Sequence, residues 1–183
     1  VDLDKLRFVN ASWIKNMKLE ELYELLSKYL EKYEKDFYQN TFVQAEKSYN
    51  LSIINELKTR LVILKDYKEL TKFFYNDFEI NAQQKELLIN PKMKIEDISQ
   101  AKTWLEIALH ILQNQTWEFA SIDEIKNIFI QKIMEAGMKN GQVLWPVRVA
   151  LSGEEFSPGA LELIFILGRE KSIQRVQKVL SLI

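Results

Sequence analysis

Cysteine is absent from this 183-residue chain, which removes disulfides and thiolate metal sites from consideration. That absence suits a reducing cytosol, and a cytoplasmic location is the expectation. Histidine occurs once, as His110, inside the apolar helical pattern "WLEIALHILQ"; a partly buried structural role is expected there, ahead of a ligand or base. No apolar run approaches the roughly 18–20 residues of a membrane span, so no membrane contact is expected. Neither sign of charge is in excess, with 25 Lys+Arg against 26 Asp+Glu. Nucleic-acid binders often carry a basic surplus. A polyanionic partner here would be held by a few locally placed cations.

Glycine and proline are scarce and concentrated. All five glycines fall between Gly137 and Gly168, and two of the three prolines, Pro146 and Pro158, lie in the same window. The first residues, "VDLDKLRF", show neither an initiator Met nor a signal pattern. They read as a segment cut from a longer chain.

What fills the rest is a period near 3.6. Leu19, Leu22, Leu25, Leu26 and Leu30 form one stripe between charged residues, predicting a helix from about Lys18 to Lys35. Ile53, Ile54, Leu57, Leu61 and Leu64 predict another over Ser52 to Leu64, and Asp66 is placed to cap the next. "NAQQKELLIN" predicts a short helix stopped before Pro91, since a residue preceding proline leaves the α region. A long helix is expected from Ile95 to Gln115. "SIDEIKNIFIQKIMEAG" carries a capping box, Ser121 with Glu124, and a closing glycine, Gly137. "REKSIQRVQKVLSLI" is the last. Strand alternation and hairpin signals are missing. The fold class is therefore all-α, with nine or ten helices in two small helical subdomains, 1–80 and 81–183, divided where the pattern breaks between Tyr75 and Lys92.

Catalytic chemistry is as scarce as cysteine. No Gly-rich phosphate loop, paired metal spacing or Ser-His-Asp set occurs. The carboxylates Asp4, Glu20, Glu21, Glu154 and Glu155 read as solvated faces. No catalytic residue, metal site or cofactor is expected in this segment.

The stretch "LWPVRVALSGEEFSPG" has two readings. Gly137, Gly153 and Gly168 suit helix C-caps, Ser157-Pro158 suits an N-cap followed by a first helical residue, and Pro146 suits the start of a short helix. Arg148, among valines and alanine, needs a partner for its planar donor fork. An ion pair within the fold would serve. So would an unstacked base of a single-stranded RNA loop, with the Ser157 hydroxyl completing its pocket.

The order of these residues resembles the C-terminal region of bacterial-type glutamyl-tRNA synthetases. That family typically carries G-x-x-x-x-P-[LV]-R-x-A-[LV]-[TS]-G, then [TS]-P-G and L-G-[KR]-E. Gly141, Pro146, Val147, Arg148, Ala150, Leu151, Ser152, Gly153, Ser157, Pro158, Gly159, Leu167, Gly168, Arg169 and Glu170 fill those places. Near the start, Lys5, Leu6, Arg7, Phe8, Asn10, Trp13 and Ile14 follow the family's KLRWMNxxYI pattern, and "ELKTRLVILKDYKELTKFFY" resembles its next helix pair. The resemblance runs over nearly the whole chain.

It implies an anticodon-binding region built as an α-helix cage, with the stem-contact end at the start of the first subdomain. The HIGH and KMSKS-type signatures of the ATP site are missing; "PKMKIED" resembles the latter only superficially. The resemblance thus implies that ATP, with magnesium, serves the full-length glutamate–tRNA ligase elsewhere. By position, Arg60 corresponds to the reader of the third anticodon base, where an arginine favours cytosine and hence glutamate tRNA over glutamine tRNA. Arg148 corresponds to the residue associated with the first two bases, and Ser157 and Pro158 to the T-P loop. Ala160 stands where some members have leucine. The implied partner is glutamate tRNA, and the implied state a monomer. A helical protein–protein interaction module is the competing reading of the same helices.

Overall fold

The computed structural model describes residues 2–114 and 121–183. They gather into two compact units, Val1–Asn76 and Asp77–Ile183. Among the described residues there is no strand, only an isolated antiparallel bridge between Asn90 and Ile95. No described helix is long and apolar enough to cross a membrane.

The first unit holds α1 (Leu3–Asn16), α2 (Leu19–Tyr33), α3 (Lys35–Phe37), α4 (Lys47–Leu57) and α5 (Asp66–Tyr75), with a π-helical turn at Tyr38–Phe42. Asp2 starts α1 by accepting from the Asp4 and Lys5 amides, both at 3.1 Å. Leu22, Leu26 and Leu30 of α2 are fully buried and α2 packs on α4, which buries Ile53, Ile54 and Leu57. Each such burial contributes about 1.5–3 kcal/mol. Leu25, expected in the same stripe, lies at its edge and is 37% exposed.

A polar chain runs through this core. The Tyr67 and Tyr75 hydroxyls are 2.7 Å apart, Tyr75 donates to Asn50 Oδ1 at 2.6 Å, and Asn50 Nδ2 donates to the Phe42 carbonyl at 2.8 Å. Burial raises both tyrosine hydroxyls above their ordinary pKa, Tyr67 strongly.

Two expectations shift here. The helix predicted over Ser52–Leu64 begins and ends earlier, at Lys47 and Leu57, because Lys58 to Arg60 turn away. Asp66 does not cap α5. Its carboxylate turns back to accept from the Val62 and Ile63 amides, at 3.3 and 3.0 Å, and so secures the connection before the helix.

The second unit holds α6 (Ala82–Leu87), a 3₁₀ turn at Pro91–Met93, α7 (Ile98–Asn114), α8 (Ile122–Glu135), α9 (Asn140–Ser152), α10 (Ala160–Leu167) and α11 (Arg169–Leu180). Gln115, expected to close the long helix, lies outside the described residues. Helix α9 is central and packs against α7, α8, α10 and α11. The α8 end is a Schellman motif: Gly137, at φ 72°, donates to the Met134 carbonyl at 2.9 Å, and Met138 donates to Ile133 at 3.0 Å. Gly153 and Gly168 likewise close α9 and α10 at positive φ.

His110 is exposed rather than partly buried, because α7 turns Ala101, Leu105, Ala108, Ile111 and Leu112 inward. Its Nδ1 lies 3.1 Å from Asn114 Nδ2. With α3 a single turn, the described helices number eleven rather than nine or ten.

Candidate nucleic-acid interface

Helix α9 starts earlier than the proline suggests. The Gln142 side chain reaches back to accept from the Lys139 amide at 3.1 Å, fixing the first turn upstream. Pro146 therefore sits inside α9, where it offers no hydrogen to the Gln142 carbonyl. Such a proline costs about 3 kcal/mol in an isolated helix. Here Val143, Pro146, Val147, Val149, Ala150 and Leu151 are all buried, and that packing offsets the cost.

One turn apart on α9, Trp145 and Arg148 stack. The guanidinium carbon lies 4.4 Å from the ring centroid. The indole is anchored by Nε1 donating to the Leu87 carbonyl at 2.7 Å. Arg148 reaches forward, its terminal nitrogen donating to the Glu155 carbonyl at 2.7 Å. The planar fork is thus held on an aromatic face and tied to the loop that follows its own helix.

These two side chains line a cleft of about 240 Å³ with Gly141, Gly159, Ala160 and Glu162. A side chain at either of its glycines would displace the end of a neighbouring side chain. A Cβ on Gly141 would come within 2.8 Å of the Met93 sulfur, and one on Gly159 within 2.2 Å of Glu162 Oε2. Glu162 is held by Lys126 at 3.1 Å. An arginine donor fork backed by an indole, with a carboxylate acceptor on the same cleft, matches the edges of a nucleobase. A bare phosphate would be repelled by Glu162.

Of the sequence-derived candidates, Arg148 and Ala160 meet in this cleft. Ser157 and Pro158 are buried and do not line it. Ser157 is not an N-cap: α10 begins at Ala160, with Gly159 as its cap. Its hydroxyl is 3.2 Å from the Ser152 hydroxyl and 3.1 Å from the Pro158 carbonyl, so it braces the loop from inside. Arg60 belongs to the first unit. It is exposed in the turn after α4, its amide bound to the Leu57 carbonyl at 2.8 Å, and its side chain makes no hydrogen bond or ion pair among the described residues.

Sequence reasoning missed Trp145 and Glu162. The available signal for the first was its spacing of three from Arg148 on a helix. For Glu162 no local signal existed. Two other cations of the C-terminal motif serve the fold. Arg169 donates to the Leu112 and Gln113 carbonyls at 2.8 and 2.9 Å, covering the open end of α7. Arg175, buried, donates to the Leu151 carbonyl at the end of α9 and lies 5.0 Å over the Phe78 ring. Burial, and then the Arg175 charge, lowers the pKa of Lys171 beside it.

A family profile described as "Anticodon binding domain" matches residues 21–180. Among curated proteins, the chain is 32% identical over 182 residues to a glutamate–tRNA ligase of Clostridium novyi (strain NT), covering 96% of this chain and 34% of that protein. It is 33% identical over 183 residues to the glutamate–tRNA ligase of Lachnoclostridium phytofermentans, covering 96% and 33%. Among solved structures, a glutamate tRNA ligase from Elizabethkingia meningosepticum superposes with a TM-score of 0.73 at 19% identity, covering 96% of this chain and 31% of that one. At that identity the likeness speaks for the fold. The chain spans about a third of the length of the curated relatives it matches.

Proposed function

This chain belongs to the anticodon-binding domain family, and from that premise we propose that it grips the anticodon loop of glutamate tRNA as part of a glutamate–tRNA ligase. The observation that carries the reading is Arg148, stacked on Trp145 and tied to the Glu155 carbonyl at the wall of a base-sized cleft. An arginine so held loses little freedom when it donates to a base, and charge-assisted donation is the strong kind. Ser157 and Pro158 brace the loop that follows α9, and Ala160 leaves room in the cleft. Arg60, in the first unit, supplies the third-base contact.

The chain binds and orients; chemistry belongs to the remainder of the ligase. ATP and magnesium would enter with that remainder. Among the described residues no three His, Asp or Glu side chains converge as a metal site, and no step of glutamate activation is assigned to these residues. The protein acts as a monomer in the cytoplasm.

Fluorescence anisotropy with a labelled anticodon stem-loop of glutamate tRNA tests the reading. Binding is expected to be weak, stronger than to an unrelated stem-loop, and reduced by Arg148→Ala. Few phosphates are neutralised by a chain of net charge -1, so the salt slope should be shallow. Equal affinity for both stem-loops, untouched by the substitution, would sink the assignment.

A further inference from the structure

The loop joining α9 to α10 carries Phe156, which is 82% exposed, more than any other large apolar residue among those described. Its ring meets no aromatic or cationic partner among the described residues. Yet the residues on either side are firmly held. Glu155 accepts from Arg148 at 2.7 Å through its carbonyl. Ser157 is buried, with its hydroxyl 3.2 Å from that of Ser152, and Pro158 is buried after it. The Ser152 hydroxyl also accepts from the Glu154 amide at 3.2 Å and donates to the Arg148 carbonyl at 2.8 Å. A short loop pinned at 152, 155 and 157 therefore fixes the backbone of Phe156 while leaving its ring in water.

Lone apolar side chains on a surface are ordinary. This one differs in its rigid support and its place. The residues that support it include Arg148, and Gly159 and Ala160 follow within four residues; all three line the cleft. A solvent-facing ring on a pre-set backbone beside a base-sized cleft is the arrangement single-stranded nucleic acids use, since every base offers a π-face.

We infer that Phe156 is a stacking platform for a second unpaired base of the anticodon loop, next to the base received by the Arg148 cleft. The inference rests on the anticodon-loop reading above. It gives Arg148 a double task, donor in the cleft and positioning residue for the platform through Glu155. Ser152 and Ser157 position the same loop. Stacking needs no sequence-specific hydrogen bond, so the platform adds affinity across loop sequences while the cleft discriminates.

The whole chain is titrated against the glutamate anticodon stem-loop, carrying 2-aminopurine at each anticodon position in turn. Phe156→Ala and Phe156→Leu are expected to weaken binding about tenfold, and Phe156→Trp to preserve it. In the wild-type complex one substituted base should be quenched, and that quenching should vanish in Phe156→Leu. The leucine variant separates stacking from mere apolar contact, and circular dichroism checks that each variant is folded. If the wild type binds and Phe156→Leu binds and quenches equally, the platform is overturned while the anticodon reading stands. If the wild type does not bind the stem-loop at all, both fall.

Discussion

The guanidinium carbon of Arg148 lies 4.4 Å from the ring centroid of Trp145, one turn earlier on α9. Stacking of this kind contributes about 0.5–2 kcal/mol and orients the donor plane. Lysine cannot reproduce it, having neither the plane nor the fork. Arg148→Lys should therefore weaken anticodon binding about tenfold, close to the loss from Arg148→Ala. Trp145→Leu, which keeps apolar bulk but removes the ring, should also weaken it. Anisotropy titrations against one stem-loop rank the three; a lysine variant with wild-type affinity would show that charge alone suffices.

Arg60 separates recognition from stability. Its exposed side chain contributes no hydrogen bond or ion pair among the described residues, so Arg60→Ala should change unfolding free energy by less than about 0.5 kcal/mol. The same variant should flatten the preference between stem-loops that differ only at the third anticodon base. Paired urea melts and binding titrations check both halves of the expectation.

Glycine 153 and glycine 137 form an internal control. Both have positive φ, +70° and +72°. A Cβ at Gly137 meets nothing within 4 Å, whereas one at Gly153 would stand 2.7 Å from Gln84 Nε2 and 2.9 Å from the Phe78 ring. Gly137→Ala should cost only the backbone penalty, about 1 kcal/mol. Gly153→Ala should cost more, on the order of 2–4 kcal/mol once the clash is added. Urea denaturation of the two variants gives the order directly.

Tyrosines 67 and 75 make the first unit sensitive to alkali. Burial raises both above the ordinary value near 10. The folded state therefore keeps protons that the unfolded chain releases. Their stabilisation is complete below about pH 10 and is lost as pH rises beyond it, by about 1.4 kcal/mol per pH unit for each tyrosine. Tyr67→Phe should make the alkaline decline shallower, at the expense of the hydrogen bond to Tyr75. Chemical melts from pH 8 to 12 (chosen to bracket tyrosine ionisation) measure the slope.

Much of the helical plan was readable locally. Three of the stripe leucines of α2 are buried, and the glycines at 137, 153 and 168 close their helices, because a 3.6 period and a positive-φ position are properties of neighbours in sequence. Local rules failed where another nearby group competed. Asp66 opens α5, yet the amides of Val62 and Ile63 took its carboxylate. Ser157 precedes a proline as an N-cap would, yet Ser152 claimed its hydroxyl. His110 lies in an apolar run, but the register that buries Ala108 and Leu112 turns it outward.

By itself, the sequence determined the all-α class, most helix ends and the identity of Arg148 as a cation in need of a partner. Periodicity, caps and an isolated charge are visible without coordinates. Tertiary structure alone decided that α9 runs through Pro146, since the burial that offsets a missing hydrogen bond comes from α7, α8, α10 and α11. It alone brought Glu162 to the cleft of Trp145 and Arg148, and pinned the loop that holds Phe156 in water. The first two depend on close approach between residues of different helices, and the third on how the loop after α9 folds back onto it; a linear pattern encodes no such distance.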